Sequence, residues 1–182
     1  QFERLDPRFV ALIPQSAAIE ELADGFQWAE GPLWNARDKS LLFSDVAAKV
    51  ILRWKEGEKP TPFLSQSGGG NGLAFDAQGR LVICQETDRK VVRRNDDGSI
   101  AVVVDRYEGK RLNSPNDLVY RSDGTLFFTD PPFGLPRAFD DKRKELPFSG
   151  IYSLKDGHLR LGAKELTGPN GLAFSPDERY LY

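Results

Sequence analysis

One acidic and three amide side chains occupy equivalent positions of a recurring pattern, and together they have the chemistry of a cation site. The acid is Glu30, and the amides are Asn71, Asn116 and Asn170, each at the start of a short apolar run. Carboxylate and amide oxygens are hard ligands that suit Ca²⁺ best, while Mg²⁺, Mn²⁺ and Zn²⁺ are alternatives that fit the same set. The single histidine and single cysteine of the chain argue against a Cys/His zinc site.

The same asparagines have an alternative interpretation as turn residues. Asn tolerates a left-handed backbone and hydrogen-bonds to its own turn, so Asn-Gly or Asn-Asp before a strand is common. A repeated fold also repeats its turns, so recurrence alone does not decide between the two roles. Glu30 departs from the pattern because it places a charge where the other copies have an amide. A carboxylate in a closed channel is costly unless it is paired or binds a cation, so the site hypothesis depends most on Glu30.

The elements that would position these residues recur at spacings of 41, 45 and 54 residues. The second copy is the most complete, and it predicts four strands: Gly72–Phe75, Leu81–Gln85, Lys90–Arg94 and Ile100–Val104. A repeat of 40–50 residues built from strands is typical of propeller blades. We therefore predict an all-β chain, a β-propeller in which the innermost strands begin at one face. Their first residues, Glu30 and the three asparagines, would then point towards one axis.

The two ends of the chain predict how far this propeller extends. Ala18–Leu22 has the same offset from Glu30 that outer strands have from the later copies, so it is expected to be a strand that closes the last blade. The last copy stops at Tyr182, after the start of its second strand. We expect residues 1–182 to form one β-propeller domain, incomplete at its C-terminus. It would hold about three blades, the start of a fourth and the closing strand. A compact four-bladed domain is the alternative.

Composition excludes two classes of partner. The 182 residues carry a formal charge of −2, without the basic excess that nucleic-acid-binding surfaces show. The longest apolar run, Ile100–Val104, is far too short to cross a bilayer. No nucleic-acid or membrane partner is therefore expected, and a small molecule is the expected ligand.

Loops on the predicted ligand face supply further candidates. Strand order places Asp130, at the end of a second strand, and the linker Arg106–Pro115 above the site, so Arg111, Asn113 and Asp130 are candidate substrate contacts. Arg111 could equally be an ordinary surface cation. The stretch Pro131–Ser149 is longer than its counterparts and is a candidate lid, whereas its charge run Asp140–Glu145 is expected to be solvated surface.

These motifs together resemble the SMP-30/gluconolactonase/LRE-like family of six-bladed propellers, in its N-terminal portion and in its bacterial gluconolactonase-like members. The resemblance covers essentially the whole chain and rests on the following segments: Ala29–Trp34, Phe43–Asp45, Asn71–Asp76, Arg111–Leu118, Phe128–Leu135 and Arg160–Tyr182. It implies one divalent cation on the propeller axis, with Glu30, Asn116 and Asn170 as three of its ligands. The fourth, an aspartate that could also act as general base, would follow Tyr182. Asn71 would contact substrate or water instead.

The resemblance implies hydrolysis of a sugar lactone such as gluconolactone. A cation would polarise the lactone carbonyl for attack by water, a reaction that needs no covalent nucleophile and suits a chain without a Ser-His-Asp signature. Two alternatives stay open, namely a phosphoester or organophosphate hydrolase with the same cation site, and a calcium- or ligand-binding propeller without catalysis. The absence of methionine, with the resemblance, favours a periplasmic or secreted location, although the low cysteine content also permits the cytoplasm.

Overall fold

Three four-stranded antiparallel sheets make up most of the computed structural model, which describes residues 2–182. In each sheet the strands lie side by side in chain order, as in a propeller blade. The first blade holds β1 Ala29–Asn35, β2 Ser40–Asp45, β3 Val50–Trp54 and β4 Thr61–Ser65. The second holds β5 Gly70–Phe75, β6 Leu81–Gln85, β7 Lys90–Arg94 and β8 Ile100–Val104. A small hairpin, β9 Arg106–Tyr107 and β10 Lys110–Arg111, leads to the third, with β11 Leu118–Tyr120, β12 Leu126–Asp130, β13 Gly150–Lys155 and β14 His158–Ala163.

The hydrophobic core lies between blades, because each sheet has two apolar faces to bury. One cluster joins the first two blades, with Leu42 and Ile51 against Ile83 and Val92. A second cluster joins the second and third blades, and the stacked rings of Phe128 and Tyr152 lie within it. Removal of this apolar surface from water is the main force that holds consecutive blades together.

The prediction of an all-β propeller is confirmed. Three strands of the second blade begin and end where the alternation of apolar residues predicted: Leu81–Gln85, Lys90–Arg94 and Ile100–Val104. Its first strand begins at Gly70 rather than at Gly72, because the ladder continues past a bulge. The only α-helix in the described chain, α1 Phe9–Leu12, is a single turn that the sequence did not predict. No helix in residues 2–182 has the length and apolar character to span a membrane.

The predicted closing strand is not formed in this structure. Ala18–Leu22 has no strand conformation, and the side chains of Ile19 and Leu22 are 69% and 56% exposed. A strand needs a hydrogen-bonding partner, and no described residue pairs with this segment. The start of the fourth blade is likewise represented by a single bridge between Phe174 and Leu181 rather than by two strands.

The long loop Pro131–Ser149 is folded against the third blade. It contains one short 3₁₀ turn, Ala138–Asp140, and buries Leu135 and Leu146, the latter within the second core cluster. The expectation that Asp140–Glu145 is only solvated surface is wrong for Asp141, which is 8% exposed. Hydrogen bonds from Arg143 hold the pKa of that carboxyl well below its usual range. The loop is therefore an ordered part of the blade.

Candidate metal centre

The four residues selected by the repeat lie around one pocket of about 300 Å³. The prediction that they converge therefore agrees with the structure, although they come from positions up to 140 residues apart. Asn71 and Asn116 are buried, Glu30 is half-buried and Asn170 is exposed. The complete lining is Glu30, Gly31, Pro32, Asn71, Leu73, Asn116, Asp117, Leu118, Asn170, Gly171 and Leu172.

Backbone irregularities, rather than strand starts, aim these side chains. The pairing of β1 with β2 shifts between Glu30 and Leu33, and that of β5 with β6 shifts between Gly70 and Leu73. Bulges of this kind redirect a side chain at the rim of a sheet. The prediction that each residue is the first of its inner strand was thus too simple. Glu30 and Asn71 are the second residues of β1 and β5, while Asn116 precedes β11 by two residues.

Glycine after the ligand position lets neighbouring blades approach closely. Gly31 has a φ of +56°, in the left-handed region, and a Cβ atom there would collide with the carbonyl oxygen of Asn71. Gly72 stands in the same relation to the next blade, where its Cβ would lie 2.7 Å from the Asn116 carbonyl oxygen. The backbones that carry the candidate ligands are therefore in direct contact from blade to blade.

Hydrogen bonds across the blade boundaries fix the carbonyl groups of the three asparagines. Ser44 Oγ donates to the Asn71 carbonyl and Thr129 Oγ1 to the Asn170 carbonyl, both at 2.8 Å. Between these two boundaries, the Gly72 amide donates to the Asn116 carbonyl, also at 2.8 Å. Each blade thereby positions the backbone of the candidate ligand in the following blade.

Glu86 is a functional candidate that the sequence analysis missed. Its Oε1 accepts hydrogen bonds from Asn71 Nδ2 at 2.8 Å and from Asn116 Nδ2 at 2.6 Å, and the residue is 3% exposed. Burial raises the pKa of Glu86, an effect that the two amide donors oppose and that the charge of Glu30 reinforces. An acidic residue directly after the second strand of a blade, one position beyond the place that Asp130 occupies in the third blade, was the signal that could have identified it.

Electrostatics around the pocket favour a cation. Asp117 lines the pocket and accepts a hydrogen bond from the Leu172 amide at 2.8 Å. Burial raises the pKa of Asp117, and the charge of Glu30 adds to the shift. The charge of Glu30 therefore repels those of Glu86 and Asp117, and no Lys or Arg among the described residues lines the pocket. A positive ion would relieve that repulsion, so this donor set fits a divalent cation.

Amide oxygens would be essential to such a site. Within the part of the chain that the structure describes, no three His, Cys, Asp or Glu side chains are grouped closely enough to hold a metal ion by themselves. Glu30 already accepts a hydrogen bond at one carboxylate oxygen, from Trp28 Nε1 at 3.2 Å. The remaining ligands would have to be the asparagines, as the sequence predicted.

Asp130 and Asn113 lie outside the pocket lining and support the loop that leads to Asn116. The Asp130 carboxylate is completely buried and accepts hydrogen bonds from the backbone amides of Asn113 at 2.8 Å and Ser114 at 2.7 Å. Asn113 Nδ2 in turn donates to the carbonyl groups of Asp130 and Phe148. These contacts explain why both residues are buried. Their predicted contact with substrate stays a prediction.

The first blade has a carboxylate in the same position as Asp130, and it also accepts hydrogen bonds from two backbone amides. Asp45, at the end of β2, accepts hydrogen bonds from the Gln27 amide at 2.9 Å and the Trp28 amide at 3.1 Å. Those amides precede Glu30 by the same two offsets that separate Asn113 and Ser114 from Asn116. A carboxylate at the end of the second strand thus supports the loop before the candidate ligand in both blades.

Arg111 is also placed away from the pocket. Its guanidinium donates to the Asp88 carbonyl at 2.9 Å, and its backbone amide donates to Glu145 at 2.7 Å. Beside it, the buried Arg89 donates from Nε to the carbonyl groups of Leu112 and Asn113. The structure therefore brings Glu30 and the three asparagines together, but it does not bring Arg111, Asn113 or Asp130 to the same pocket.

Fold and site together define a propeller that brings one carboxylate and three amide side chains from successive blades to a shared pocket. A sequence model of the SMP-30/gluconolactonase/LRE-like region matches residues 28–182. The chain belongs to this family.

Relatives of known structure and sequence agree with that membership. The chain is 37% identical over 194 aligned positions to a gluconolactonase of Zymomonas mobilis, with 98% of this chain and 54% of the relative covered. It superimposes on a gluconolactonase of Xanthomonas campestris with a TM-score of 0.81 and 44% identity, covering 87% of this chain and 55% of that one. A structure that a structural genomics programme described as a candidate gluconolactonase superimposes with a TM-score of 0.86 and 35% identity, covering 96% of this chain and 61% of that one. The chain thus spans little more than half the length of these relatives.

Proposed function

We propose that the protein is a lactonase that hydrolyses a sugar lactone at a divalent cation, with Ca²⁺ as the preferred ion. The observation that supports this most directly is the convergence of Glu30 and three asparagines on one pocket without a neighbouring Lys or Arg. Similarity to gluconolactonases, over nearly the whole chain, supports lactones as the substrate class.

Each residue has a distinct task in this proposal. Glu30 supplies the negative charge that attracts the cation, and Asn116 and Asn170 supply neutral oxygen ligands. Asn71, on the same wall, is available to the cation or to a substrate hydroxyl. The hydrogen bonds from Ser44 and Thr129 hold Asn71 and Asn170 in place, so little rearrangement would be needed when a ligand binds.

The bound cation would supply a Lewis acid that polarises the ester carbonyl of the lactone. The protein's own contribution is to present oxygen atoms from several blades and to keep Lys and Arg side chains out of the pocket lining. Addition of water to the carbonyl carbon and cleavage of the ring ester bond give a hydroxy acid. That acid loses a proton at neutral pH, so turnover can be followed by titration.

A pH-stat assay with D-glucono-δ-lactone tests the proposal on the full-length protein. Turnover above the spontaneous rate is expected, with loss on treatment with EDTA and recovery on addition of Ca²⁺. A thermal melt in parallel separates a catalytic cation from a structural one, since a purely structural ion would change the melting temperature and leave initial turnover of folded protein unaffected. Turnover that is insensitive to EDTA would refute the cation-dependent mechanism. Absence of turnover would refute the assignment of the protein as a lactonase for this substrate.

A further inference from the structure

Glu86 is a buried carboxylate immediately behind the pocket, and nothing in the lactonase proposal uses it. Its oxygen Oε1 joins the amide side chains of Asn71 in the second blade and Asn116 at the start of the third, at 2.8 and 2.6 Å. Glu86 itself does not line the pocket, whereas both amides do. The carboxylate therefore acts on the pocket only through the two asparagines.

The orientation of an asparagine amide decides what it offers to a ligand. One end of the group is an oxygen acceptor and the other is an NH₂ donor, and only the oxygen binds a cation. A carboxylate accepts and does not donate, so contact with Glu86 requires Nδ2 of each amide to face it. Both amides are thus held with the donor end towards Glu86.

The opposite end of each amide is free to accept. Within residues 2–182, neither Asn71 Oδ1 nor Asn116 Oδ1 accepts a hydrogen bond, and neither is among the sealed side-chain atoms that lack a partner. Glu86 therefore accepts from the donor end of each amide and leaves two accessible oxygen acceptors at the pocket wall. Partners behind a metal ligand commonly fix its orientation in this way.

We propose that Glu86 is the positioning residue of the cation site, and that it makes Asn71 a cation ligand equivalent to Asn116. This inference rests on the cation-binding part of the proposed function. It differs from the expectation from family resemblance, which gave Asn71 a substrate or water contact only. It also assigns a role to the turn after β6, from which no ligand or catalytic group was predicted.

Calorimetric titration of the full-length protein with Ca²⁺, and with Mn²⁺ as a second probe, tests the proposal. Glu86→Leu removes the acceptor and releases both amides, so we expect affinity to fall 10- to 100-fold. Glu86→Gln keeps an acceptor oxygen and loses only the charge, so we expect a clearly smaller loss than for the leucine variant. Asp141→Leu is the matched control, because it removes another buried carboxylate without contact to the site, and it should bind with unchanged affinity.

The outcomes separate this inference from the proposed function. Absence of cation binding by the parent protein would refute the function and the inference together. If the parent protein binds the cation and Glu86→Leu binds it with unchanged affinity, the inference alone is overturned. Equal losses of affinity in the leucine and glutamine variants would also overturn it, because they would indicate an effect of charge only. If the leucine variant does not fold, Asn71→Leu decides, since unchanged cation affinity in that variant would overturn the assignment of Asn71 as a ligand.

Discussion

Thr129 connects two candidate ligands, and its hydroxyl group offers a quantitative test of how the blades position them. The side chain is completely buried in β12. Its Oγ1 donates to the Asn170 carbonyl at 2.8 Å and accepts from the Asp117 amide at 3.1 Å. Its backbone carbonyl also accepts from the Asn116 amide at 3.0 Å. The segment of Asn170 has no strand of its own, so this hydroxyl is a main restraint on that ligand.

Replacement by valine removes the hydroxyl and keeps the branched shape. Two hydrogen bonds are lost at about 1 kcal/mol each, so the free energy of unfolding of Thr129→Val should fall by about 2 kcal/mol. Only the bond to Asn170 restrains a candidate ligand, and about 1 kcal/mol corresponds to roughly a fivefold change in affinity. We therefore expect cation affinity, measured by calorimetry on folded protein, to fall about fivefold.

Thr129→Ser is the matched control, because it keeps both hydrogen bonds and loses one methyl group. Its cation affinity should equal that of the parent protein, although its stability falls slightly through the lost packing. Unchanged affinity in the valine variant, at a temperature where it is fully folded, would refute the idea that the third blade positions Asn170. Equal losses of affinity in both variants would refute the role of the hydroxyl.

Two further predictions concern the charged groups. Glu30→Gln removes the only carboxylate among the four converging residues and should weaken Ca²⁺ binding at least tenfold by calorimetry; unchanged affinity would contradict the site assignment. Burial raises the pKa of Asp130 to about 7, although hydrogen bonds from two backbone amides oppose the shift. Between about pH 4 and pH 7 the folded protein therefore keeps a proton on this carboxyl that the unfolded chain has released. The free energy of unfolding should therefore fall as pH rises from about 4 to about 7, by at most about 4 kcal/mol. Asp130→Asn should lack this pH-dependent loss when urea unfolding is measured across the same range. Parallel pH profiles of the parent protein and the variant would contradict the prediction.

The strands were largely predictable because their signal is local. Alternating apolar residues and Asp-Gly turns located β6, β7 and β8 to the residue, and the recurrence of the pattern indicated blades before any contact was known. The same recurrence selected Glu30, Asn71, Asn116 and Asn170, which line one pocket. Equivalent positions in a repeat occupy equivalent places in the fold, so residue types at those positions carry information about a common site.

The sequence was less informative where the structure depends on a partner from another part of the chain. Ala18–Leu22 was predicted to close a last blade that the described residues do not contain. Strand conformation is stabilised by pairing, so the role of this segment stays a prediction. The predicted contact of Asp130 with substrate stays a prediction, and the structure adds that its carboxylate is turned towards the backbone amides of Asn113 and Ser114. Composition and spacing gave no information on that direction.

By itself, the sequence determined the class of fold, the order of the blades and the four residues that converge on the pocket. It did so because strand periodicity and turn chemistry act over a few residues and then repeat. Only the tertiary structure decided how those residues are held: the bulges that aim Glu30 and Asn71, the hydroxyl of Thr129 on the blade before Asn170, and the buried Glu86 that joins two amides. These contacts join residues 15 to 41 positions apart. The bulges and the Asn71–Glu86 hydrogen bond form when strands of one blade pair, and the bonds to Asn116 and Asn170 form only when neighbouring blades pack, so no local pattern encodes them.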